Sequence, residues 1–293
     1  MKSQNSFLLL LCCLLPAAIG AYAENIALNV PYTVNHAPNY SHCTDAEDVT
    51  QLTDGRYVEG YFWTQPGTVG WQGKGHVIIV LDLGADKPIS GVSFSTAVGV
   101  AGVEWPKSIG IFTAGEDDLF HEIGELTALS VQKELPSEGV YAAHRYSTDA
   151  LRAHGRKIAF VVVGGSYIFC DEIEVWKGED SWVDEPLPGD GVADLAEYVP
   201  RLLTYNGIKR RINADINAVR KAAESLNESD QKSINGELDA ITDELETLPV
   251  EYGEDFKAVL PVNDTHAKVF AALAKVWEKN NLEQMAMWAV DPW

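Results

Sequence analysis

The run Val77-Ile78-Ile79-Val80-Leu81-Asp82-Leu83-Gly84 decides the fold of the first half of this chain. Its β-branched character favours a strand buried on both faces, and Asp82-Leu83-Gly84 reads as the stop. Ile89 to Ala97 follows with Ile89, Val92 and Phe94 set among Ser90, Ser93 and Ser95. Ser108–Thr113, Phe120–Leu126, Ile158–Val163 and Ile168–Trp176 repeat the theme, each bounded by Gly, Pro or Asp. Many short strands with turn signals and no helix between them predict a β-sandwich or barrel.

Outward from that core the composition changes twice. Gly178 to Val192 carries Pro186, Pro188, Gly189 and Gly191 among acidic residues, so an extended, solvated linker is expected over 179–192. From Ala193 the apolar period is helical. Ile208, Ile212, Ile216, Val219 and Leu226 form one stripe, and Ile234, Leu238, Ile241, Leu245 and Leu248 form another. Asn227-Glu228-Ser229 separates them, with Ser229 placed to cap the second helix. The pattern predicts an α-helical hairpin followed by a further helix over Thr265–Lys279. A hairpin with an open stripe could also self-associate as a coiled coil.

At the N-terminus, Lys2, the apolar run Phe7–Leu15 and Ala21-Tyr22-Ala23 have the layout of a cleaved export signal over 1–23. A secreted, extracellular or periplasmic protein is therefore expected. Export leaves Cys43 and Cys170, which either bridge or stay as separate buried thiols. The chain ends on Trp288 and Trp293, an unusual terminus that suggests continuation into a larger architecture. With Asp+Glu 43 against Lys+Arg 22, the formal net charge is -21. That balance excludes a nucleic-acid groove and electrostatic docking on anionic membranes. No serine-hydrolase elbow, zinc-protease helix or phosphate-binding glycine loop is present, and the seven histidines are scattered.

Several segments, in order, resemble the discoidin or coagulation-factor type C family of galactose-binding-like modules. They are Asn25-Ile26-Ala27-Leu28-Asn29-Val30-Pro31, Leu52-Thr53-Asp54-Gly55, Gly70-Trp71, Ile79 to Gly84, Trp105-Pro106-Lys107-Ser108-Ile109 and Asp171-Glu172-Ile173-Glu174-Val175-Trp176. The resemblance covers about Asn25 to Gly178 and implies an antiparallel β-sandwich of jelly-roll, galactose-binding-like type. It departs from the family at the aromatic insert Tyr57–Thr68 and at Gly99–Val103, which look like a bacterial subgroup at the front of large secreted proteins.

The resemblance implies a non-catalytic, ligand-binding module whose end loops recognise a glycan or cell-surface polysaccharide. Such a module could be part of a larger carbohydrate-active enzyme. The alternative is a protein-interaction or adhesion module that oligomerises through its hairpin. Sugar recognition needs aromatic rings for C–H faces and polar groups for hydroxyls. Tyr61, Trp63, Trp105, His144 and Arg145 are the candidates, with Trp63 and Trp105 as alternative plugs of the sandwich ends. The resemblance also implies a structural Ca²⁺ held by Thr53, Asp54 and Glu172. The competing reading is a turn held by Asp54 on nearby amides.

Overall fold

The structure is a computed structural model and describes residues 23–132, 135, 139–248 and 260–280. The expected export signal, apart from Ala23, and the Trp288–Trp293 segment lie outside the described residues. Two compact units divide the chain, Met1–Asp190 and Gly191–Trp293.

The first unit is antiparallel throughout. Its strands are β1 (Tyr32–Val34), β2 (Val69–Gln72), β3 (His76–Val98), β4 (Ser108–Ala114), β5 (Phe120–Glu125), β6 (Ala142–Thr148), β7 (Ala153–Val163), β8 (Tyr167–Cys170) and β9 (Glu172–Lys177). A single helical turn, α1 (Leu126–Leu129), follows β5. The strand does not stop at Gly84. It runs on as one strand of 23 residues, with a register shift against β7 between Asp82 and Lys87. Gly84 has φ +80°, a left-handed conformation that relieves the chain at this shift without breaking the ladder.

That corner makes the sandwich. The first half of β3 lies between β1 and β7, and β4 and β5 extend the same layer. The second half lies between β6 and β9. Alternate residues of the first layer (Val77, Ile79, Leu81, Ile109, Ile111, Ile158, Phe160, Val162) share one core with Val92, Phe94, Tyr146, Ile173 and Val175 of the second. The Phe94 and Phe160 rings meet across it at 6.4 Å. Each such buried side chain contributes about 1.5–3 kcal/mol by leaving water. The short β2–β8 pair adds Trp71, fully buried, whose indole N–H donates to the His36 carbonyl at 2.7 Å.

The expected solvated linker is instead partly docked on the sandwich. Asp180–Asp184 forms a 3-10 turn against β3 and β7, and Trp182 closes over Gly178. Arg152, just before β7, holds the Glu185 carboxylate and lies 5.5 Å from the Trp182 ring centre. His154 joins Asp86, at 2.8 Å, to the Glu185 carbonyl, also at 2.8 Å. His121 reaches the Pro188 carbonyl at 3.0 Å. Pro/Gly/acid composition reads as solvated, but these partners sit on strands far away in sequence.

The second unit is a three-helix arrangement of α2 (Leu195–Ala223), α3 (Glu228–Thr247) and α4 (Leu260–Lys279). Asp194 caps α2 by accepting from Ala196 and Glu197 amides at 2.8 and 3.1 Å. Asn227, not Ser229, caps α3, accepting from the Asp230 amide at 3.1 Å. Ile212, Ile216 and Val219 pack with Ile234, Leu238, Ile241 and Leu245, and α4 closes over both with Val262, Val269, Ala272 and Val276. The hairpin stripes that a coiled coil would have used are covered by α4 within the chain. Among the described residues, no helix is long and apolar enough to cross a membrane.

Candidate ligand-binding site

The aromatic insert folds into a short 3-10 turn, Phe62–Thr64, at the end of the sandwich where β3 stops and β6 begins. Its three rings part company. Phe62 is buried as the anchor, Tyr61 is 52% exposed, and Trp63 is half-buried. The Tyr61 and Trp63 ring centres are 5.7 Å apart with planes tilted by 35°. Tyr141 stands edge-on to both, at 4.6 Å from Tyr61 and 5.3 Å from Trp63. Its hydroxyl donates to the Gly60 carbonyl, tying this loop to β6. Phe169 of β8 backs Trp63 at 5.8 Å. Tyr61 and Trp63 thus form a two-ring surface with Tyr141 edge-on beside both. Tyr141 escaped the sequence reading because a lone Tyr before a strand carries no pattern of its own.

The other expected contacts lie elsewhere. Trp105 is half-buried and packs against the core, with its ring 5.4 Å from His144 and 6.3 Å from Tyr146. This is the position of a plug. His144 is buried at 4% exposure, and neither ring nitrogen has a hydrogen-bond partner. Burial lowers its pKa and favours the neutral ring. Arg145 is the next residue along β6 and points to the opposite face. There it pairs with Glu174 and lies 4.9 Å from the Tyr57 ring centre. The five candidates therefore occupy three environments; the first presents Tyr61, 52% exposed, and the third presents Tyr57, 41% exposed, beside Arg145.

The two cysteines do not bridge; both are buried and free. Cys43 packs with Phe169, and a Cβ on Gly70 would meet both. Cys170 follows Phe169 on β8, so it faces the other way, into the sandwich core. Burial pushes the Cys43 thiol up to about 12, which keeps it a protonated, unreactive side chain.

Glu172 and the Asp54 loop do come together. Glu172 is fully buried on β9, and its Oε2 accepts from the Gly55 amide at 3.1 Å. Its Oε1 has no hydrogen-bond partner. Burial, with the neighbouring Asp54 and Asp171 charges, pushes the Glu172 carboxyl up to about 8. Gly55 has φ +79°, so glycine is what lets this turn present its amide. Asp54 also accepts from the Arg56 amide at 2.9 Å, the self-held turn weighed above. Thr53 is committed in part. Its hydroxyl donates to the Val30 carbonyl at 2.8 Å, and its carbonyl accepts from Asn29 at 2.6 Å. Among the described residues no three His, Cys, Asp or Glu side chains converge on one metal position. A cation at Glu172 would therefore draw much of its shell from backbone carbonyls.

No family model matches the chain, and no curated protein matches it. Solved structures are similar over the first unit. A fucolectin from Morone saxatilis (striped bass) serum is 14% identical, with 54% of this chain and 50% of that one covered and a TM-score of 0.39. A Streptococcus pneumoniae fucose binding module is 15% identical, with 53% and 99% covered and a TM-score of 0.36. Chitosan-binding module 1 from a Paenibacillus sp. IK-5 chitosanase/glucanase is 13% identical, with 52% and 98% covered and a TM-score of 0.32.

Proposed function

We propose that the first unit is a carbohydrate-binding module of an exported protein, and that it binds its glycan on the Tyr61–Trp63 surface. The observation that carries this reading is a pair of tilted aromatic rings, one of them more than half exposed, fixed at the end of a rigid sandwich. Leaving a large ring in water forgoes its burial, and a sugar's C–H face restores that burial on binding. Phe62 below and Tyr141 beside the rings preorganise them, so binding spends little on ordering the loop. The recognition is by stacking, with no bond made or broken in the ligand.

A structural calcium ion fits the Asp54–Glu172 pair. A buried carboxylate with an unpartnered oxygen is costly unless a proton or a cation meets it. Glu172 and Asp54 would supply carboxylate oxygens, and the Thr53 segment its backbone. The ion would lock the Asp54–Gly55 turn to β9 and so steady the adjoining insert.

A glycan array probed with the exported chain tests the binding reading. Wild type is expected to select a small set of glycans, and Tyr61→Ala and Trp63→Ala to lose that signal while keeping wild-type circular dichroism. Retained selectivity in both variants would place the site elsewhere.

A further inference from the structure

The aromatic surface does not end at Trp63. Phe169 of β8 is 1% exposed and anchors more rings than the one above it. Trp63 lies 5.8 Å from Phe169, and Tyr40 stands edge-on to it at 5.0 Å. Tyr167, two residues earlier on β8, shares that face of the strand and lies nearly parallel to Phe169 at 6.3 Å. Tyr40 and Tyr167 meet edge-on at 5.7 Å, and the His42 ring is 5.5 Å from Tyr40. Tyr40 and Tyr167 are half-buried, and His42 is exposed. A connected row of rings therefore runs from the insert across β8 to the turn at Tyr40–Cys43.

This second part of the row is held as firmly as the first. The Asn39 and Tyr40 amides donate to the Gly70 carbonyl at 3.0 and 3.2 Å. The Asn39 side chain donates to the Gln72 carbonyl at 3.1 Å and accepts from the Gln72 amide at 2.8 Å. These bonds fix the turn to β2, the partner of β8. Beside Tyr167 and Phe169 lies a narrow cleft, with room for about one water, edged by Glu104 and Thr96. A space that small admits a single sugar hydroxyl, and the exposed Glu104 carboxylate offers it an acceptor. Partly wetted rings beside one polar notch are the chemistry that recognises a sugar. One sugar ring covers about one aromatic ring, so Tyr61 and Trp63 suffice for a terminal sugar. Tyr40 and Tyr167 lie two ring steps further on, within reach of the next residues of a longer glycan.

We infer that Tyr40 and Tyr167 form a further subsite, so that the module takes an oligosaccharide laid along the row and not a single terminal sugar. This inference rests on the Tyr61–Trp63 surface as the first subsite. Calorimetric titration with the best array glycan, intact and trimmed stepwise to its monosaccharide, tests it. Wild type is expected to bind the intact glycan roughly tenfold more tightly than the monosaccharide. Tyr167→Ala should remove most of that gain and leave the monosaccharide affinity unchanged, whereas Trp63→Ala should abolish both. A monosaccharide that binds as tightly as any longer glycan would overturn the further subsite and leave the Tyr61–Trp63 reading standing. So would an intact-glycan affinity that Tyr167→Ala does not change. Wild-type affinity in both Tyr61→Ala and Trp63→Ala would overturn that reading and this extension with it. Should Tyr167→Ala misfold, Tyr167→Leu keeps apolar bulk beside Phe169 and removes the ring. The same loss is expected, and an unchanged affinity again contradicts the subsite.

Discussion

Glu172 concentrates the electrostatics of the β unit in one side chain. Its carboxyl ionises at about 8 in the folded chain without metal, against 4.5 for the ordinary group. A carboxyl raised on folding favours the folded state while it is protonated. That contribution is full below about pH 4.5 and is lost as pH rises through about 8. In chelator, the unfolding free energy from urea titration should therefore fall across this window, by an amount on the order of a few kcal/mol, and the urea midpoint with it. Asp48, raised to about 6, acts in the same direction over a lower window. Calcium should remove most of the fall by pairing the anion. Glu172→Gln should flatten the Glu172 part with or without calcium. Midpoints in chelator that are level from pH 5 to 8.5 would contradict the burial of an unpaired carboxyl there.

Among the elements, the docked 180–188 segment and the third helix change the reading most. His154 has an acceptor-only carboxylate on one nitrogen and a backbone carbonyl on the other. His154→Ala should free the Glu185 carbonyl and leave Asp86 without its partner, at a cost of about 1–3 kcal/mol. Faster amide exchange confined to 180–188 is the expected readout, and unchanged exchange would show that Trp182 and Arg152 hold the segment alone. In the bundle, Leu238 is fully buried between helices. Leu238→Ala should lower stability by about 2–5 kcal/mol without changing the mass seen in sedimentation. A wild-type dimer that Leu238→Ala dissolves would instead return that face to self-association.

The same elements show where sequence was informative. The alternations of Ile89–Ala97 and the stripes of α2 and α3 are local patterns, and each element formed where its pattern lies. The corner in β3 was hidden because Asp82-Leu83-Gly84 has the composition of a stop, and only pairing to β7 carries the strand through it. The closure of the hairpin by α4 was hidden because an apolar stripe does not name what covers it. Within Tyr61-Phe62-Trp63, three adjacent aromatics gave the place of the candidate site. Which ring turns inward depends on Tyr141 and Phe169, brought in from distant parts of the chain. Strand alternation at Phe169-Cys170 separates the two thiols, a fact available only once Cys43 is placed beside Phe169.

At the scale of the whole molecule, a sandwich built around a bent strand carries the Tyr61–Trp63 loop, and a unit with three helices among the described residues follows it in the chain. The formal net charge of -21 opposes anionic ligands. The central claim is that the sandwich binds a glycan on Tyr61 and Trp63, with Trp105 a plug. Isothermal titration of the best array glycan into wild type, Trp63→Ala and Trp105→Ala tests it most directly. The account predicts that heat of binding vanishes in Trp63→Ala and that folded Trp105→Ala keeps the wild-type Kd within about twofold, since a difference of 1.4 kcal/mol is already tenfold. A Trp63→Ala variant that binds with the wild-type Kd would contradict it.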